Sequence, residues 1–412
     1  MMDSSTCPAS PRACTRTLTC RRSSDSASSA LSRHLSSLRL IASTHHQDAL
    51  LTCACSFFYI TGVNIPDCAA TYDIATDKLT LWIPYVEPRQ ALYFGSPPDP
   101  AKAEELYDVD DVRYTIELPE FIRDRPKPSK IYVLHLTHIP KLGLEGLRRA
   151  GFDHQSLQPA MNRARVIKTA YEVEMIRKAC QVSAAGHRRV AEQFLGLGNE
   201  RDVEALFTAV CTTRGSNAMA YAVIAGAGVN AATLHYIENN QPLEGNELMV
   251  MDAGCEWNGY ASDITRTLPI SGTFKGKAAQ IHSIVQDMQE ACIRRALAGK
   301  KYYDLNVLAA RIAVDGLLEL GILKGDREAI WNQGTVGAFF PHGLGHHVGL
   351  EVHDVHGDSP LLHAWDGAHA MEAKKEAMTG EGLLRLMGGE GMFAVPRQAL
   401  EPNMIVTIEP GM

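Results

Sequence analysis

Apolar residues divide this chain into two unlike stretches. Between about residue 56 and residue 155 the apolar runs are short and rich in aromatic and β-branched side chains. Phe57-Phe58-Tyr59-Ile60 and Lys78-Leu79-Thr80-Leu81-Trp82-Ile83 are bounded by Gly, Asn, Asp and Pro and predict strands, as does Ile131-Tyr132-Val133-Leu134. Ala101–Leu106 and Leu144–Arg149 predict short helices between and after them. Farther on the spacing lengthens. Val173, Ile176, Cys180 and Ala184 recur at helical intervals with charges opposite, in a long helix starting near Ala170. Ile281, Ile284, Val285, Met288 and Cys292 mark a second helix. A third is expected from Asp304, read as its N-cap, through Leu308 and Ile312 to Leu318. Strand-like runs at Glu247–Ala253, Tyr260–Leu268 and Met404–Ile408 surround these helices. The pattern predicts a small α/β domain over 49–155 and a mixed α+β domain over 160–412.

Length supports that division, because 412 residues exceed what a single hydrophobic core usually sustains. Residues 1–48 differ from both domains: Arg12, Arg16, Arg21, Arg22, Arg33 and Arg39 face few acids, serine is frequent and aromatics are missing. Such a segment is read as a disordered tail, or as an organelle transit peptide. A cytoplasmic location is expected, with the mitochondrion the alternative if the segment is a transit peptide. The net charge of −7 argues against a nucleic-acid partner, and no apolar run reaches the roughly 18–20 residues that would cross a bilayer. Six of the ten cysteines crowd the first sixth of the chain. That distribution suits no disulfide scaffold, and Cys53-x-Cys55 lacks zinc-finger spacing, so all ten are read as reduced thiols.

Candidate chemistry sits in four places. In the first, strand-like runs carrying Asp252 and Asp263 flank a turn containing Asn258-Gly259, a strong hairpin signal. A two-residue loop at Trp257-Asn258 would set Asp252 opposite Asp263. A loop at Asn258-Gly259 would set Asp252 opposite Thr265 instead. Either way two carboxylates share a half-buried sheet, where they repel unless a cation neutralises them. The second place is the glycine-spaced run from His342 through His346 to His353, imidazole being the commonest metal ligand and a ready proton carrier. Third, an apolar strand delivers Glu409 ahead of Pro410-Gly411. Fourth is the stretch from Ala220 to Asn240, which carries His235; its Gly226-x-Gly228 is not followed by the Gly-Lys-Ser/Thr of a phosphate loop.

In this order and spacing the residues resemble the pita-bread metallopeptidases, in the aminopeptidase P and prolidase branch. The resemblance covers about residue 56 to the end, and implies a C-terminal pita-bread catalytic domain preceded by a smaller creatinase-type α/β domain. By motif match it implies Asp252, Asp263, His346 and Glu409 as ligands of two divalent metal ions, with Mn²⁺ the expected identity. His235, His342 and His353 match the family's non-ligand active-site histidines. The implied activity is an Xaa-Pro aminopeptidase that uses an activated hydroxide, with Glu409 moving the proton and the histidines holding the scissile carbonyl. Proline-containing peptides are then the partners, and a homodimer is compatible with the family. The family's fifth ligand is a glutamate on a later strand, beyond Met412, so the catalytic domain is read as C-terminally truncated and the N-terminal domain as incomplete.

Two other functions fit less well. A dipeptidase of the prolidase type needs a cation for the substrate's C-terminal carboxylate, and neither Arg385 nor Arg397 falls at the family's position. A pita-bread protein that has lost catalysis and acts as a binding module would retain fewer than four of five ligands.

Overall fold

A computed structural model describes residues 39–43, 51–124, 131–138, 151–355, 361–362 and 397–412. The helix expected at Leu144–Arg149, Arg385, and most of both the 1–48 segment and the His356–Val395 stretch lie outside these residues. The chain folds as two units, Met1–Arg165 and Val166–Met412.

In the first unit six strands make one mixed sheet: β1 (Arg39–Ser43), β2 (Ala69–Asp73), β3 (Lys78–Ile83), β4 (Asp111–Tyr114), β5 (Ile131–Val133) and β6 (Phe152–Asp153). Their order is β4-β3-β2-β1-β5-β6, with β1-β2 and β2-β3 antiparallel and the other pairs parallel. Trp82, Ala69, Leu118, Ile122 and Val133 pack into a core beside this sheet. The helix at Pro100–Leu106 follows its prediction, and Asp99 caps it by accepting the Lys102 amide at 2.8 Å.

Two expectations fail in this unit. Arg39–Ser43 is the central strand β1, although it was assigned to the 1–48 tail. Composition averaged over the Arg- and Ser-rich segment concealed the short aliphatic run Leu40-Ile41-Ala42. Phe57–Ile60, expected as a strand, lies in the helix Leu51–Thr61. Phe57, Tyr59 and Ile60 are all buried. A run covered on nearly every side shows no polar period, so helix and strand read alike. The helix ends where Gly62 takes a left-handed φ of 67° and donates its amide to the Phe58 carbonyl.

The second unit opens with the helix Ala170–Gln193, launched by a capping box between Thr169 and Glu172. Its buried stripe runs through Ile176, Ala179, Val182, Ser183 and Val190, whereas Ala184 faces outward, so the true face is rotated from the predicted one. Glu200–Thr213 packs beside it, and both cover a three-stranded antiparallel sheet. That sheet has the order β11 (Thr265–Pro269), β8 (Leu248–Asp252), β7 (Ile224–Ala227). Along β8, Met249 and Met251 are buried in the core while Asp252 points to the opposite face. A second core joins helices Gly276–Ile293 and Tyr302–Glu319 to Phe340, Leu344 and Leu400. Asp304 is not the N-cap of the latter helix, which begins at Tyr302 after Lys301 and carries Asp304 in its first turn. Met404–Ile408 forms no strand; one isolated bridge joins Val406 to His347. Among the described residues no helix is long and apolar enough to cross a membrane, and Cys180, Cys211, Cys255 and Cys292 form no disulfide.

Candidate metal centre

The hairpin turn is Asn258-Gly259. Both residues have positive φ, 49° and 80°, between the paired strands β9 (Glu256–Trp257) and β10 (Tyr260–Ala261). That geometry suits a tight hairpin turn and selects the second of the two registers: Asp252 pairs with Thr265. The same register continues inward. Ala253 donates to Ile264 and Cys255 accepts from Ser262, each at 3.1 Å, which sets Asp263 across from Gly254. Asp252 and Asp263 are therefore diagonal neighbours on one face rather than directly opposed. Gly254 makes this possible, because a Cβ there would lie 1.9 Å from the Ser262 carbonyl oxygen.

Tyr221 ties the two carboxylates together. Its hydroxyl lies 2.5 Å from Asp252 Oδ1 and 3.0 Å from Asp263 Oδ1. One phenolic proton cannot serve two carboxylates at once, so the trio needs a further positive charge. Burial, and then the adjacent Asp263, push the Asp252 pKa up to about 7.

Asp263 also meets the histidine arm. His346 Nε2 stands 3.2 Å from Asp263 Oδ2 and 3.1 Å from Glu409 Oε1. Ligand atoms of Asp263, His346 and Glu409 all fall within 4.8 Å of one another. Burial lowers the His346 pKa, but its contacts with Asp263 and Glu409 outweigh this and raise it to about 10. The other ring nitrogen, Nδ1, lies 2.9 Å from the His347 carbonyl. If Nδ1 donates there, Nε2 presents its lone pair to two oxygens, an arrangement that a cation stabilises. Carboxylate oxygens with one imidazole suit a divalent ion of the Mn²⁺ or Zn²⁺ kind. The donor set fits a metal.

Thr407 fixes the geometry between the two arms. Its hydroxyl donates to Glu409 Oε1 at 2.8 Å and accepts the His346 amide at 3.0 Å. Gly345 has to be glycine for this contact, since a Cβ would sit 2.4 Å from Thr407 Oγ1 and 2.6 Å from Tyr302 Oη.

The remaining histidines divide. His353 packs edge-on against His346 with ring centroids 4.3 Å apart, and His235 lies 6.3 Å from His353, so His353 neighbours both other imidazoles. His342 stands elsewhere, against Gly411, with Nδ1 2.9 Å from the Gly343 carbonyl. His347 is fully buried, and burial and the Lys168 charge push its pKa down to about 4. Sequence reasoning missed Tyr221 and Thr407. Thr407 was findable, since it alternates with Glu409 and so shares its side of an extended segment.

These features define a class. The sequence matches metallopeptidase family M24 over residues 174–412 and the aminopeptidase P N-terminal domain over residues 52–133. The chain belongs to metallopeptidase family M24, whose members use divalent metal ions, and has the expected pita-bread domain after a creatinase-type domain. Among its relatives, a probable Xaa-Pro aminopeptidase of Metarhizium acridum (strain CQMa 102) is 52% identical over 366 residues, covering 86% of this chain and 72% of the relative. Another, from Colletotrichum graminicola, is 51% identical over 371 residues, covering 86% and 70%. Zinc-substituted E. coli aminopeptidase P in complex with product matches with a TM-score of 0.77 at 25% identity, over 96% of this chain and 87% of that one.

Proposed function

We propose that this chain is a metal-dependent Xaa-Pro aminopeptidase, releasing the N-terminal residue from peptides whose second residue is proline. Asp252, Asp263, His346 and Glu409 are its ligands to two divalent ions, and manganese is the favoured identity. The observation that carries this reading is the convergence of Asp263, His346 and Glu409 within 4.8 Å, with Asp252 joined to them through Tyr221. When bound, the ions would neutralise the carboxylates, polarise the scissile carbonyl and make water a nucleophile at neutral pH.

The protein's own groups do the rest. Glu409, anchored by the Thr407 hydroxyl, takes the proton of the attacking water and passes it to the leaving prolyl nitrogen. His353, against His346, and His235, beside His353, hydrogen-bond the carbonyl oxygen as its charge grows. Losing one such donor typically costs on the order of 10²- to 10³-fold in rate. His342 backs the Glu409–Gly411 segment. Proline in the leaving position has no N–H, so a site closed around its ring can select it.

Arg397, one cation considered for a dipeptidase, is engaged with Tyr303, its guanidinium 4.5 Å from the ring centroid, and with the Leu362 carbonyl. That engagement favours the aminopeptidase over the dipeptidase. The test is hydrolysis of Xaa-Pro-Xaa and Xaa-Pro by the chelated protein before and after Mn²⁺ is restored, with metal content measured alongside. Restored cleavage of the tripeptide, lost in His346→Ala together with bound metal, is the expected result. Unchanged turnover in His346→Ala would overturn the ligand assignment.

A further inference from the structure

We propose that the buried Glu200 carboxylate is a positioning residue: it holds the loop between Ala227 and Gln241 so that His235 faces His353. This inference rests on the aminopeptidase reading, which assigns His235 to the reacting carbonyl. The loop has little of its own to keep it in place. It contains a single 3₁₀ stretch, Gly228–Ala232, and isolated turns such as Tyr236 N–H to the Thr233 carbonyl. Val229, Leu234 and Ile237 are exposed at 87%, 57% and 59%, so apolar burial does not anchor it among the described residues.

Polar contacts to one side chain take over that task. Glu200 is the first residue of its helix and is completely buried. Its Oε1 accepts the Ala227 amide at 2.7 Å and Asn230 Nδ2 at 3.0 Å. Its Oε2 accepts the Tyr236 hydroxyl at 2.7 Å and the Gln241 amide at 2.9 Å. Both ends of the loop and two points within it therefore converge on one carboxylate. Burial raises the Glu200 pKa, but these four donors outweigh it and the net direction is down. The helix N-terminus favours the same ionised form. Tyr236 directly follows His235, so the contact nearest the functional imidazole is one of the four. Asn239, in the left-handed region at φ 43°, adds a second hold by bonding the Ala225 amide and the Val223 carbonyl of β7 and its flank.

A misplacement near 1 Å can cost on the order of 10²-fold in rate, which is the effect expected of Glu200→Gln through His235. A double-mutant cycle separates positioning from mere stability. Glu200→Gln and His235→Ala should each lower kcat on an Xaa-Pro-Xaa peptide by about 10²-fold, and the double variant should fall no further than either. Multiplying losses would overturn the inference, because Glu200 would then act independently of His235. Should Glu200→Gln fail to fold, Tyr236→Phe removes one of the four contacts and enters the same cycle. A second readout does not need turnover. Amide hydrogen exchange in Glu200→Gln, or in Tyr236→Phe if that variant is used, should quicken over residues 227–241 while Asp252–Asp263 stays protected. If the wild type itself cleaves no Xaa-Pro bond, the aminopeptidase reading falls. The exchange pattern then decides this inference, and unchanged or uniformly raised exchange sinks it.

Discussion

Replacing Lys168 with methionine removes the cation from a buried ion pair while preserving much of the side chain's volume. Lys168 Nζ lies 2.7 Å from Asp354 Oδ2, and each side chain is 1% exposed. The two residues also hold the surrounding backbone: Lys168 donates its amide to the Asn403 carbonyl, and Asp354 donates to the His347 carbonyl. Asp354 lies so close to Gly349 that a Cβ there would stand 2.4 Å from Oδ2. Methionine would take away the cation that faces this dry carboxylate at 2.7 Å, and breaking a buried pair in this way costs about 3–5 kcal/mol. A unit of the size of Val166–Met412 loses roughly 2–4 °C of Tm per kcal/mol, so Lys168→Met should unfold about 6–20 °C lower. Thermal and urea denaturation measure this directly. Lys168→Met/Asp354→Leu removes both charges and should recover most of the loss. A single variant within about 1 kcal/mol of wild type would refute the reasoning, since a carboxylate of this burial cannot lose its cation so cheaply.

Two other outcomes follow from the site and its surroundings. Tyr221→Phe takes away the hydroxyl shared by Asp252 and Asp263, and should weaken metal binding by about 10–100-fold in a calorimetric titration. His187 is buried with Nε2 2.9 Å from the Ala253 carbonyl, and burial lowers its pKa from 6.5. The unfolded chain therefore binds the proton more readily, so this contribution is complete above pH 6.5 and lost as pH falls toward the folded value. His187→Gln should show a shallower loss of stability as pH falls below 6.5 by urea unfolding.

Local signals carried much of the fold and the site. Asn258-Gly259 announced the hairpin because two left-handed residues are needed there, and the glycines around His346 announced close backbone approach. Helical spacing found Ala170–Gln193 and Gly276–Ile293, although the first was turned from its true face. Side-chain period says which residues share a face but not how much a neighbouring element covers. The Leu51–Thr61 helix escaped because Phe57, Tyr59 and Ile60 are buried in succession with no polar side between them. Met404–Ile408 looked like a strand, yet it meets the histidine arm through one isolated bridge and the backbone bonds around it, such as Thr407 N–H to the His346 carbonyl. Tyr221 and Glu200 escaped for another reason. Their partners lie 27 to 42 positions away, and no short motif records such contacts.

The proposed ligands are scattered along the chain, and Thr407 locks the latest of them against His346. During synthesis Asp252 and Asp263 leave the ribosome long before Glu409, so the hairpin exists first as an acidic cleft with its closing arm still unmade. Ion capture at full affinity must then wait until the 407–409 segment docks, which makes cofactor loading a late event in the biogenesis of this enzyme.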